Sequence, residues 1–121
     1  MVFGSSAPAT DASIASVTYV GVATATVTLK GGRPLKIDVC ATLNNAAAAA
    51  RDYTWGIAVD GVVIHSHTTS NDGADDSAVS SFYYDDDGDT AGSHTYSLFI
   101  LSSNATGTQT AEDAHILLME Y

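Results

Sequence analysis

The sequence predicts an all-β chain, an antiparallel β-sandwich of jelly-roll type. β-branched and aromatic residues recur in short runs, and turn-forming residues interrupt them about every ten positions. No stretch repeats apolar residues at helical spacing. With 121 residues the chain suits a single domain with one modest core. About seven or eight short strands are expected.

Residues 1–12 are small and polar, with Pro8, and read as a flexible N-terminal arm. Residues 13–121 read as the single β-sandwich domain. Val17, Tyr19, Val20, Val22, Thr24, Thr26, Val27 and Leu29 form the first long β-branched run, bent or bulged at Gly21. Gly31-Gly32-Arg33-Pro34 is a turn. Leu35, Ile37, Val39 and Ala41 alternate with Lys36, Asp38 and Cys40, so the former should face the core. The alanines after Asn44-Asn45 are too short a run for a stable helix and read as a loop with one helical turn. Residues 53–59 and 62–67 are strands joined by Asp60-Gly61, a strong signal for a two-residue hairpin with positive φ at both positions. Residues 77–84, 94–101 and 114–121 complete the strands. Successive apolar residues from Ile116 to Met119 imply cover on both faces, one by the core and the other by a second subunit.

Fourteen acidic residues, twelve of them aspartate, stand against Lys30, Arg33, Lys36 and Arg51, giving a formal charge of −10. This balance resembles that of proteins from salt-accumulating halophiles, and stability should rise with salt as the repulsion is screened. It speaks against nucleic acid, which needs a basic stripe, and against anionic membranes. No apolar run reaches the ~18 residues of a membrane helix. The first residues lack the basic and apolar regions of a secretory signal. Cys40, without a second cysteine, is expected to serve as a small buried hydrophobe.

Asp85, Asp87 and Asp89 alternate around Gly88, but the glycine position and the missing glutamate rule out an EF-hand loop. This stretch and Asn71-Asp72-Gly73-Ala74-Asp75-Asp76 read as solvated acidic loops. His65 and His67, two apart on a strand, share a face and are capable of holding a metal. No spacing marks a third ligand, so exposed or interface histidines are the expectation and no metal site is assigned. His94 and His115 stand alone. No G-x-S-x-G elbow, phosphate loop or selectable carboxylate pair is present, so no catalytic or cofactor-binding residue is assigned and no enzyme is expected. Tyr53, Trp55, Tyr83 and Tyr84 offer the one candidate sugar-stacking platform.

From Gly31 onward the order of features resembles small β-sandwich structural proteins of tailed bacterial and archaeal viruses. The pieces are Gly32-Arg33-Pro34-Leu35-Lys36-Ile37 with Leu43-Asn44, then Val59-Asp60-Gly61-Val62-Val63-Ile64, then Gly92-Ser93-His94-Thr95-Tyr96-Ser97-Leu98. Ala105-Thr106-Gly107-Thr108 follows and leads to the strand ending at Glu120-Tyr121. The acidic stretch from Asp85 to Asp89 departs from the Pro/Gly turn more usual there. The resemblance implies a capsid decoration (cement) protein, made in the host cytoplasm, that binds the major capsid protein as a homotrimer on the virion surface. A tail or spike component and a carbohydrate-binding module are the alternatives.

Overall fold

A computed structural model describes residues 2–6, 12–46, 49–71 and 75–121. Among them nine strands form: β1 (Val2–Ser6), β2 (Ala12–Ser13), β3 (Val20–Leu29), β4 (Leu35–Asn45), β5 (Arg51–Val59), β6 (Val62–Asn71), β7 (Asp75–Asp85), β8 (Gly92–Ser102) and β9 (Gln109–Glu120). They make two antiparallel sheets. The first runs β1-β9-β4-β7, with β2 also paired to β9, and the second runs β3-β8-β5-β6. With β1 and β2 taken as one interrupted strand, the pairs nest: first with last, β3 with β8, β4 with β7, β5 with β6. That nesting is a jelly roll. The sequence expectation of an antiparallel, jelly-roll-like sandwich therefore holds.

Alternation explains most of the core. Leu35, Ile37, Val39, Ala41 and Leu43 of β4 are all buried, as are Ala23, Ala25, Val27 and Leu29 of β3. They meet Ile57, Leu98, Ile100, Ile116 and Leu118 between the sheets, with Tyr53 and Tyr96 fully enclosed. Phe99 is buried elsewhere. It lies on the outer face of the second sheet, flanked across the strands by Gly21 and Gly56. Tyr19 covers it edge-on, with ring centroids 5.1 Å apart.

Turn chemistry behaves as read. Asp60 (φ 50°) and Gly61 (φ 83°) form the tight hairpin between β5 and β6, and a bulge follows Gly21. The turn at Gly31-Gly32 is held from the far end of the chain. Glu120, 1% exposed, accepts the Lys30 amide at 2.8 Å and the Gly31 amide at 3.0 Å. Around the alanine run, positions 47 and 48 are outside the described residues, so the expected helical turn is too.

Two expectations need correction. Residues 1–12 are not a free arm throughout, since Val2–Ser6 pairs in register with residues 116–120 of β9. Phe3 and Ser5 point outward, while Gly4 faces Val27 so closely that a β-carbon would strike its Cγ1. Residues 1 and 7–11 lie outside the described residues. Cys40 is exposed, not buried, because the alternation that sends Val39 and Ala41 inward sends it outward.

Candidate functional site

The outer face of the first sheet carries the chain's main exposed aromatic surface. Cross-strand register lines up Phe3, Met119, Lys36 and Tyr84 in one row and Ser5, Leu117, Asp38 and Phe82 in the next. Phe3 is 60% exposed, Phe82 64% and Tyr84 50%, while Leu117 and Met119 are half-buried. A groove of about 600 Å³ runs between Phe3 and Phe82 over Leu117, with Asp38, Cys40 and His115 in its walls. Lys36 sits 3.7 Å from Asp38 and 5.9 Å from the Phe82 ring centroid. The end of this face between Phe3 and Tyr84 is therefore mainly aromatic and aliphatic, with Lys36 beside Asp38 at its centre, and it turns polar toward Ser80, Asn44 and Asp76.

The proposed sugar platform does not assemble. Tyr53 and Trp55 point into the sandwich, 0% and 6% exposed, because they share the inward face of β5 with Ile57. The Tyr53 hydroxyl donates to Gln109 Oε1 at 2.9 Å. Tyr83 is half-buried between the sheets, and of the four only Tyr84 is well exposed. The sequence reading missed Phe3 and Phe82. Alternation along residues 77–84 places Phe82 opposite the buried Val79 and was sufficient to find it.

The acidic loop is committed internally. Asp85 Oδ1 accepts the Asp87 amide at 2.9 Å, and Asp89 Oδ2 accepts the Tyr96 hydroxyl at 2.6 Å. Burial and that carboxylate push the Tyr96 pKa upward. Among the described residues no group of three or more His, Cys, Asp or Glu side chains gathers around a common point. The stretch from Asn71 to Asp76 is not a loop throughout: Asn71 ends β6 and is buried, Asp75 and Asp76 open β7, and positions 72–74 lie outside the described residues. His115 donates from Nδ1 to the Asp113 carbonyl at 2.6 Å, beside the bulge where Asp113 takes φ 52°.

His94 has a structural task. Its Nδ1 donates to Asp60 Oδ2 at 2.7 Å, and its Nε2 to the Thr90 carbonyl at 2.9 Å. Asp60 Oδ1 also accepts the Thr95 amide at 2.8 Å. The β5–β6 hairpin tip is thus strapped to β8. The hydrogen bond to Asp60 leads in raising the His94 pKa above its ordinary 6.5, against a smaller desolvation effect. The Thr95 amide, then His94, lower the Asp60 pKa below 3.8. The raised His94 value gives stability that is complete below pH 6.5 and is lost as pH rises through the folded-state value. The lowered Asp60 value gives stability present above pH 3.8 and lost as pH falls through its folded-state value. The melting temperature of the native chain should therefore exceed that of His94→Gln most between about pH 4 and 6.5. The gap should narrow on both sides, which a pair of thermal melts across pH checks.

The fold and this face define a jelly-roll β-sandwich with an exposed aromatic sheet. No protein-family model matches the chain, and no curated protein sequence does. Solved structures similar to it include an exo-β-1,3-galactanase from Phanerochaete chrysosporium with galactose, at 12% identity and a TM-score of 0.36. That match covers 89% of this chain and 29% of the enzyme. A variant of the same enzyme with β-1,3-galactotriose matches at 15% identity and a TM-score of 0.37, covering 94% and 27%. The chain thus spans less than a third of that enzyme's length, and so loose a likeness carries nothing about activity.

Proposed function

We propose that this chain is a non-enzymatic structural protein of a virus particle, a decoration protein that self-associates as a trimer and docks on the outer surface of a tailed-virus head. The observation that carries the self-association is the outer face of β1-β9-β4-β7. Phe3, Phe82 and Tyr84 are exposed there beside Leu117 and Met119, an apolar surface on a chain of formal charge −10. Apolar patches of this kind mark association surfaces. A closed ring of copies would bury it while leaving the acidic surfaces apart. The capsid as partner rests on the resemblance of the segments from Gly31 onward to virion β-sandwich proteins. Many copies on one shell would make weak individual docking effective.

The test uses point variants, because removing residues 1–12 would strip β1 from β9 and bare a sheet edge. In molar KCl the native chain should sediment as a trimer and be retained on emptied tailed-virus heads. Phe82→Glu, at an exposed position, should sediment as a monomer with its circular dichroism unchanged. A native chain that stays monomeric at every salt concentration and ignores capsids would overturn the proposal. Trimers that bind tails instead would support the tail-component alternative.

The same groove favours one further reading. Phe3 and Phe82 flank Ser5, Asp38, Ser80 and His115, an aromatic edge beside hydrogen-bonding groups, which suits a sugar ring. Glycan-array binding by the native chain that vanishes in Phe82→Ala would support it.

A further inference from the structure

At the open edge between β6 and β7 the gap between the sheets is lined by two imidazoles, His65 half-buried and His67 exposed to solvent. A strand sends residues two apart to the same side. His67 pairs across β5 with the buried Trp55, and His65 with the buried Ile57. Both rings therefore point inward, toward Ser81 and Tyr83 of β7. Their Nε2 atoms lie 2.9 Å apart, with ring centroids separated by 4.6 Å and planes at 89°.

We propose that His65 and His67 chelate a divalent transition-metal ion of the copper or nickel class. Nitrogen–metal bonds of about 2.05 Å meeting at about 90° put the two nitrogens about 2.9 Å apart. With ~1.15 Å from ring nitrogen to ring centroid, the same chelate puts the centroids about 4.5 Å apart. The pair matches both distances. A straight N–H···N hydrogen bond between coaxial rings would put the centroids at about 5.2 Å instead. A tetrahedral ion opens the bite to about 109° and the nitrogens to about 3.3 Å, so zinc fits less well than ions preferring right-angle ligation.

The rings are held in place before any ion arrives. His67 packs on Trp55 at 4.9 Å between centroids, and Trp55 is pinned by its Nε1 donating to Thr69 Oγ1 at 2.9 Å. His65 packs beside Tyr83 at 5.9 Å. Ser81 Oγ lies 3.3 Å from His67 Nε2, and water takes the remaining ligand positions. The chain's formal charge of −10 raises the local concentration of divalent cations.

The experiment is titration of the full chain with Cu²⁺ and with Ni²⁺, followed by calorimetry and, for copper, by electron paramagnetic resonance. One ion should bind per chain, and the copper spectrum should show two equatorial imidazole nitrogens. Affinity should fall at least about tenfold in His65→Asn and in His67→Asn, since each leaves a single donor without its tethered partner. It should persist in His94→Gln and His115→Gln. Absence of binding, equal binding in all four variants, or a copper spectrum with oxygen ligands alone would overturn the proposal. The last outcome would place the ion on the acidic loops. Because the spectrum is recorded on the native chain, the result stands even if a variant fails to fold.

Discussion

Alanine at Gly56 is expected to cost about 3 kcal/mol of folding free energy, near the upper end for overpacking a well-ordered site. The cause is the bulge between β5 and β6, where the register shifts after Ile57. It lays the His65 carbonyl over Gly56, so that a β-carbon there would overlap that oxygen and lie 2.8 Å from both the carbonyl carbon and the Ser66 Cα. Those are backbone atoms and have no rotamer to escape into. Either β6 separates from β5 or the bulge is lost, and both misplace the two histidines. Gly21, the other glycine beside Phe99, provides the control. Its nearest neighbour to an added β-carbon is Thr24 Oγ1 at 3.9 Å. Gly21→Ala should change stability by less than about 1 kcal/mol. Urea unfolding of the two variants, compared by midpoint and slope, decides it. Similar values for both would show that the bulge yields more readily than its geometry indicates.

The second large effect is expected at Glu120. Its carboxylate holds the Lys30 and Gly31 amides where the chain leaves β3, and almost none of it reaches water. Glu120→Ala deprives two backbone donors of their acceptor. Each such loss costs about 1–3 kcal/mol when solvent cannot substitute, so a total of about 2–4 kcal/mol is expected. Glu120→Gln keeps one acceptor oxygen and should fall between the native chain and the alanine variant. Hydrogen exchange gives an independent reading. In Glu120→Ala the Lys30 and Gly31 amides should exchange much faster, while the β4–β7 ladder changes only with global stability. Unchanged exchange at those two amides would mean that another group holds the turn.

Both effects arise where residues distant in the chain meet, and neither position stood out in the sequence. Gly56 looked like an ordinary glycine in a strand, and Glu120 like a polar residue ending one. Their importance depends on the His65 carbonyl and on the Lys30–Gly31 turn, which no local pattern brings to them. The aromatic surface behaves likewise. Strand alternation is enough to say that Tyr53 and Trp55 share a face, but burial of that face depends on the opposing sheet.

What the sequence by itself determined is local: the β character, the inward set from Leu35 to Ala41, the hairpin at Asp60-Gly61 and the bulge at Gly21. Each follows from side-chain period or from backbone angles accessible to particular residues. The shared face of His65 and His67 was legible for the same reason. Tertiary structure alone decided the nested pairing of the strands, the recruitment of Val2–Ser6 to β9 and the meeting of the two imidazoles with Ser81 and Tyr83. It also left Phe3, Phe82 and Tyr84 on one open face. Such pairings join segments far apart along the chain, and their selection depends on the apolar area buried by the whole sandwich set against the entropy of closing long loops. A short window of residues contains neither quantity.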